Sequence, residues 1–188
     1  MTGRYRLATP LIAMCLSACV STATQVTTSY YNVRGETAEE IDADIRRNGP
    51  MRGHALAVAA ISLQPVSVQQ SISGNSCSFS TAKFRVNAAI TLPRWTDRLR
   101  SRDNDLRRAW RGLSDYARWH EDTHVKIAEE FAKQLGDDIE AIPPQRNCER
   151  LDRIAERIVK KNAKAHDRAQ NAFDAREQER LRRMIATN

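Results

Sequence analysis

Long apolar runs are missing from this 188-residue chain. No stretch reaches the roughly 18–20 residues that a helix needs to span a bilayer, so a helical membrane span is excluded. Glycine is scarce, at seven residues. An all-β protein built on many tight turns would use more. Aromatic residues make up 6%. None interleaves the basic clusters Lys160-Lys161-Lys164 and Arg180-Arg182-Arg183. A stacking platform for nucleic acid needs such interleaving, so nucleic acid is set aside as a partner. Acids are absent from residues 53–93, where Lys83 and Arg85 are the only charges. What is present suits one folded domain. The apolar share of 41% is enough for a modest core and excludes wholesale disorder. The formal charge of +7 is weak evidence for an anionic partner. Beyond Arg94 basic and acidic residues mix, as in Arg150, Asp152, Arg153, Glu156 and Arg157. That is the pattern of a solvated helix face.

Residues 1–19 read as an address. Arg4 and Arg6 precede a short apolar stretch that ends in Leu16-Ser17-Ala18-Cys19. A charged start, an apolar centre and small residues before a cleavage point make a secretory signal. The ending resembles the lipobox of bacterial lipoproteins, in which the cysteine is acylated and becomes the new N-terminus. Lipid chains on Cys19 would hold the protein to a membrane by burying methylenes. The plainer reading is a signal cleaved nearby, for example after Ala23. With Cys15 and Cys19 accounted for, Cys77 and Cys148 remain. Two cysteines in an oxidising compartment most simply form one disulfide. It would close a loop of about 70 residues, worth roughly 4 kcal/mol by chain entropy. The alternative is that one of them is a nucleophile or a zinc ligand.

The mature chain, 20–188, reads as one domain with a strand-rich part (30–93) and a helical part (94–188). Residues 54–63, 66–72 and 79–92 read as strands. Phe84, Val86, Ala88, Ile90 and Leu92 alternate at period two, as a half-buried strand requires. Thr37 to Glu40 opens a short helix with a capping-box pattern, ended near Asn48-Gly49-Pro50. Two long helices follow, near 103–135 and 148–185, with a break expected at Gly136 and at Ile142-Pro143-Pro144, and a split of the first helix near Gly112 and Ser114. The fold class is therefore α+β: a small, mostly antiparallel sheet followed by two long helices.

The chemistry lies in His120-Glu121-Asp122-Thr123-His124, an HExxH sequence within the first long helix. At 3.6 residues per turn the two imidazoles share a face and can reach one Zn²⁺. Glu121 lies about 100° round the helix, where a general base can take a proton from water. Leu113, Tyr116, Ala117, Ile127, Ala128, Phe131 and Leu135 continue the histidine face, which directs the pair inward. The alternative is two half-buried histidines satisfied by protein partners. Asp122 puts a charge where the commoner zinc-peptidase motif is uncharged. A hydrolytic zinc needs a third protein ligand. On the last helix His166 and Glu177 flank the apolar stripe, with Asp174 near Glu177. Eleven residues, roughly 16 Å of helix, separate His166 from Glu177, so both cannot bind one ion. Glu179 points elsewhere, and His54 reads as structural. Trp119 adjoins His120 and reads first as a packing anchor.

Several segments together resemble a known family. They are Tyr31-Asn32-Val33-Arg34-Gly35-Glu36-Thr37, Arg47-Asn48-Gly49-Pro50, Cys77, Leu92-Pro93, Trp110, the His120–His124 motif, Cys148 and Phe173-Asp174-Ala175-Arg176-Glu177. The chain resembles the bacterial family of secreted zinc-dependent proteases known as domain of unknown function 922. That resemblance implies a cysteine pair at Cys77 and Cys148 and a zinc site of His120, His124 and Glu177. Asp174 is then a second partner that orients a zinc-bound imidazole.

The expected function is zinc-dependent peptide-bond hydrolysis in the bacterial cell envelope, with Glu121 as base and a peptide or protein substrate. Tyr116 or His166 would stabilise the oxyanion. The rivals are a non-catalytic envelope lipoprotein with a structural metal site, and a zinc amidase acting on cell-wall peptides. The expected location is periplasmic, on the outer membrane through the lipid anchor. Cys19→Ala is expected to abolish palmitate incorporation in a bacterial host. Labelling that persists in the variant would remove the anchor from this account.

Overall fold

The computed structural model describes residues 22–186. The signal segment, with Cys15 and Cys19, lies outside the described residues. The elements are β1 (Gln25–Val33), α1 (Ala38–Asn48), the four-residue turn α2 (Pro50–Gly53), β2 (Val58–Ser73), β3 (Ser76–Trp95), α3 (Asn104–Glu140) and α4 (Cys148–Ala186). The class is α+β, as the composition shift implied. No helix among the described residues is long and apolar enough to cross a membrane.

The sheet has three strands in the order β1-β3-β2. β2 and β3 form an antiparallel hairpin, and β1 lies parallel to β3 on its other side. Gly74 takes φ 58° at the hairpin tip, the left-handed conformation that tight two-residue hairpin turns need. The two strands read from residues 54–63 and 66–72 are one. β2 runs through Pro65, and the pairing shifts between Pro65 and Ser67. Proline donates no ladder hydrogen bond, and β2 is an edge strand where that is tolerated.

β3 supplies the core. Val86, Ala88, Ile90 and Leu92 are buried on one face, the period-two set legible in the sequence. Val125, Ala128 and Ala132 of α3 pack on them. A second cluster joins Cys77, Ala82, Leu135, Ile139, Ile142 and Leu151. The Cys77–Cys148 disulfide ties β3 to the start of α4 there. A third cluster holds Val33, Ile41, Trp95 and Trp110. Thr37 caps α1 with the reciprocal Glu40 bond of a capping box, as its sequence predicted. Asp103 caps α3 through the amides of Asp105 and Leu106.

Neither break expected in α3 occurs. The helix passes Gly112 and Ser114 and continues through Gly136 to Glu140. Gly136 has a different task. A Cβ there would lie 2.4 Å from the Ala82 carbonyl oxygen, so only glycine lets α3 cross β3 this closely. Glycine in a helix interior costs about 1 kcal/mol relative to alanine, and close packing with the sheet offsets that.

The α1–β2 connection carries backbone strain. Met51 (φ 52°) and Arg52 (φ 60°) are left-handed, at a cost on the order of 1–2 kcal/mol each. Hydrogen bonds from Gly53 N to Gly49 O (3.0 Å) and from Ala55 N to Pro50 O (3.3 Å) hold the turn.

Gly136→Ala separates the two effects at that position. Helix propensity alone would stabilise the variant by about 1 kcal/mol. The close crossing predicts the reverse, a loss of roughly 1–3 kcal/mol from overpacking, read as a lower urea midpoint. A midpoint at or above wild type would refute the crossing argument.

Candidate metal centre

The helical period sorts the HExxH residues into two environments. Ala117, Glu121, Val125, Ala128, Ala132, Leu135 and Ile139 are buried on α3, at spacings of three or four, and Val125, Ala128 and Ala132 among them pack on the sheet. Glu121 therefore sits on the packed stripe, only 5% exposed. His120 and His124 lie one step round, half-buried and facing α4. Their face continues along the half-buried Ile127 and Phe131, and Leu113 at its start is 40% exposed.

Three donor atoms converge between the helices. His120 Nε2 and His124 Nε2 are 3.1 Å apart. Asp174 Oδ1 of α4 lies 3.2 Å from the first and 3.0 Å from the second. Among the described residues these three form the one group of side chains able to hold a metal ion. The spacing fits zinc. Donors on a tetrahedron with bonds of about 2.0–2.1 Å stand about 3.3 Å apart, close to all three edges seen here.

Glu177 occupies a different place. One turn beyond Asp174, it accepts a hydrogen bond from the Tyr116 hydroxyl at 3.2 Å. It also pairs with Arg180 at 2.8 Å. The Arg180 guanidinium, with the Tyr116 bond, holds its carboxyl below the usual range, against a smaller opposing push from burial. The structure thus sets Asp174 against the imidazoles and Glu177 in an ion pair. The resemblance had implied the opposite order for these two carboxylates.

Gln170 was not singled out in the sequence. Its Nε2 donates to the His124 main-chain oxygen at 3.1 Å, which fixes the amide's orientation. Its Oε1 then faces His124 Nδ1 at 2.5 Å. An amide oxygen only accepts, so His124 carries a proton on Nδ1, and its Nε2 faces the Asp174 carboxylate at 3.0 Å. Gln170 Nε2 also reaches His166 Nε2 at 2.8 Å. The available signal was spacing: His166, Gln170 and Asp174 recur every fourth residue on one face of α4. His120 Nδ1 is buried and has no hydrogen-bond partner.

Burial favours the neutral forms of His120, His166 and Glu121. Burial, and then His124, hold the His120 imidazole below its ordinary value. Burial does the same for His166. Burial pushes the Glu121 carboxyl up to about 7, although the His124 imidazole and a hydrogen bond from the Ala59 amide oppose it. Ala59 lies on edge strand β2, so the sheet edge positions the carboxyl.

Phe173 walls the imidazoles, its ring centroid 4.9 Å from His120 and 5.0 Å from His124. Trp119 packs on Phe173 at 5.9 Å but is 46% exposed, so it is not a core anchor. Tyr116 lies 5.9 Å from the His120 ring. His54 caps the α2 turn. Two cavities meet at the donors. One, of about 410 Å³, is lined by His120, Glu121, His124, His166, Gln170 and Asp174, with aliphatic residues opposite. The other, of about 250 Å³, lies towards Tyr116, Glu177 and Leu181.

A family model described as "Bacterial protein of unknown function (DUF922)" matches residues 28–180. No curated protein and no solved structure matches the chain.

Replacing each carboxylate tests the geometry. Asp174→Ala is expected to weaken zinc binding by well over the roughly 10–100-fold typical of outer-shell partners, and Glu177→Ala by less than that range. Chelator competition measures both. A larger loss in Glu177→Ala would restore Glu177 as the third ligand.

Proposed function

The chain belongs to this bacterial family, whose description assigns no activity, and we propose that it is a zinc-dependent peptidase of the cell envelope. The observation that carries the reading is the donor triangle of His120, His124 and Asp174, bordered by a cavity that the buried Glu121 also lines. A structural zinc site is normally closed by four protein ligands. Among the described residues three donors converge here, and they face a cavity, which favours a catalytic site over the structural rival.

Zinc held by His120, His124 and Asp174 would supply Lewis-acid polarisation of a carbonyl and an acidified water. The chain's own groups supply the rest. His120 and His124 present their Nε2 atoms, and Asp174 presents Oδ1. Gln170 keeps His124 in the Nδ1–H form. A Glu121 oxygen accepts the proton of the attacking water and later delivers it to the departing amine. Glu121 is the carboxyl that borders both the donors and the cavity, the placement that general acid–base catalysis requires. The Tyr116 hydroxyl and His166 stand on opposite sides of the donors, each lining one cavity. The Tyr116 hydroxyl donates to Glu177 and His166 Nε2 accepts from Gln170, so either would have to exchange that partner to serve an oxyanion.

Cavities on both sides of the donors favour a polypeptide that continues past the cleaved bond. The amidase rival is the same chemistry on a cell-wall peptide and is separated by substrate. Export and a lipid anchor at Cys19 remain part of the proposal, and the disulfide accords with an oxidising compartment.

Glu121→Gln separates base from scaffold. The variant is expected to keep its zinc and to lose hydrolysis of a peptide library by about 10²–10⁴-fold, the usual worth of a general base. Unchanged turnover would eliminate Glu121 as the base. A wild-type protein that binds zinc yet cleaves neither library peptides nor cell-wall peptides would leave the structural rival.

A further inference from the structure

The strained turn at Pro50–Gly53 and the larger cavity are one feature. Met51 is the left-handed tip of the turn (φ 52°). It is also 67% exposed, yet it lines the cavity that the metal-site donors border. The conformation is enforced from beneath. A Cβ on Gly53 would lie 1.9 Å from the Arg46 carbonyl oxygen, and one on Gly49 2.6 Å from that of Ile45. The turn is pressed on the end of α1 and cannot relax downward. Non-glycine residues in this region of φ/ψ concentrate at functional sites.

The cavity has two unlike walls. The donors and their partners form one. Met51, Ala55, Ala57, Val58, Ala59 and Ile61 form the other, with no charged or hydrogen-bonding side chain. At about 410 Å³ it falls in the roughly 300–1,000 Å³ range of ligand pockets. An acidic side chain entering it would meet the Asp174 and Glu121 carboxylates. A bulky apolar one would meet aliphatic surface on one side and be capped by the thioether of Met51. Methionine is unbranched and polarisable and adapts to varied apolar shapes.

We propose that this aliphatic wall, capped by Met51, is a recognition subsite for a bulky apolar side chain of a polypeptide, Met51 being its specificity-determining residue. The inference rests on the peptidase reading for what the subsite serves. Its occupancy is measurable without catalysis.

Downstream of Cys19 the chain has two methionines, Met51 and Met184, so methyl-labelled methionine reports Met51 with an internal reference. Titration of the mature protein with N-acetyl-phenylalaninamide or N-acetyl-leucinamide should shift the Met51 methyl signal saturably and leave Met184 in place. N-acetyl-glycinamide and N-acetyl-aspartamide should shift neither. Met51→Asn removes the apolar cap with a residue that accepts the left-handed conformation. It is expected to hold its thermal midpoint and zinc affinity. Binding of N-acetyl-phenylalaninamide should weaken about tenfold or more, within the range that apolar pocket contacts command. In the zinc-loaded protein kcat/KM should fall about tenfold for peptides bearing Phe or Leu and little for peptides of Gly and Ala. Equal methyl shifts with all four amides, or hydrolysis without apolar preference, would overturn the subsite and leave the peptidase reading standing. Selective shifts in a protein that cleaves nothing would uphold the subsite and remove the peptidase reading.

Discussion

The close crossing of α3 over β3 is the contact on which the rest of the structure depends. At Gly136 the helix comes so near the strand that a Cβ would overlap the Ala82 carbonyl. That contact sets the height of α3 above the sheet. Small residues, Ala128 and Ala132, keep it low along the next two turns, against Val86, Ala88 and Ile90. A helix held this close fixes its rotation as well as its height. Rotation decides which residues of the HExxH segment meet the sheet and which meet α4.

The outcome is a division of one short motif between two dielectric environments. Glu121 is turned into the packed stripe, where loss of hydration raises its pKa. The Ala59 amide on the edge strand gives the carboxyl a defined place. His120 and His124 are turned towards α4, which answers with polar residues at four-residue spacing. Gln170 sets the tautomer of one imidazole, and Asp174 faces both. Phe173 closes the other side and keeps the pair half-buried. In the proposed metal site, a base would have to be close to the donors without joining them. The step of about 100° between adjacent helical residues provides that separation.

The two long helices are joined at one end by packing around the disulfide, and at the other by the donor cluster. Cys77, Cys148, Leu135, Ile139 and Leu151 gather at the first. The donors, aromatic rings and the Tyr116–Glu177–Arg180 group gather at the second. Between them Asn162 donates to the Phe131 carbonyl at 3.1 Å, a bridge that also fixes the relative register of the helices. A zinc ion bound by both helices would stabilise the folded state by mass action, since the unfolded chain offers no preformed triangle.

Much of this was written locally. The capping box at Thr37, the alternation along β3, the two long helices, the cysteine pair and the HExxH segment follow from spacing and residue chemistry, which act over a few residues. Gly136 reads as a helix end in the sequence because glycine marks both helix ends and close approaches, and only the neighbouring strand tells them apart. The parallel pairing of β1 could not be seen, since strand direction depends on a crossover and not on side-chain period. The pairing of His120 and His124 was fixed by the sequence alone, four residues apart on one helix. Their third partner was not. Asp174 and Glu177 lie within one turn of each other on α4, and both are carboxylates at a plausible position. The choice between them depends on how far α4 is slid and rotated against α3, and only the packed structure decides that.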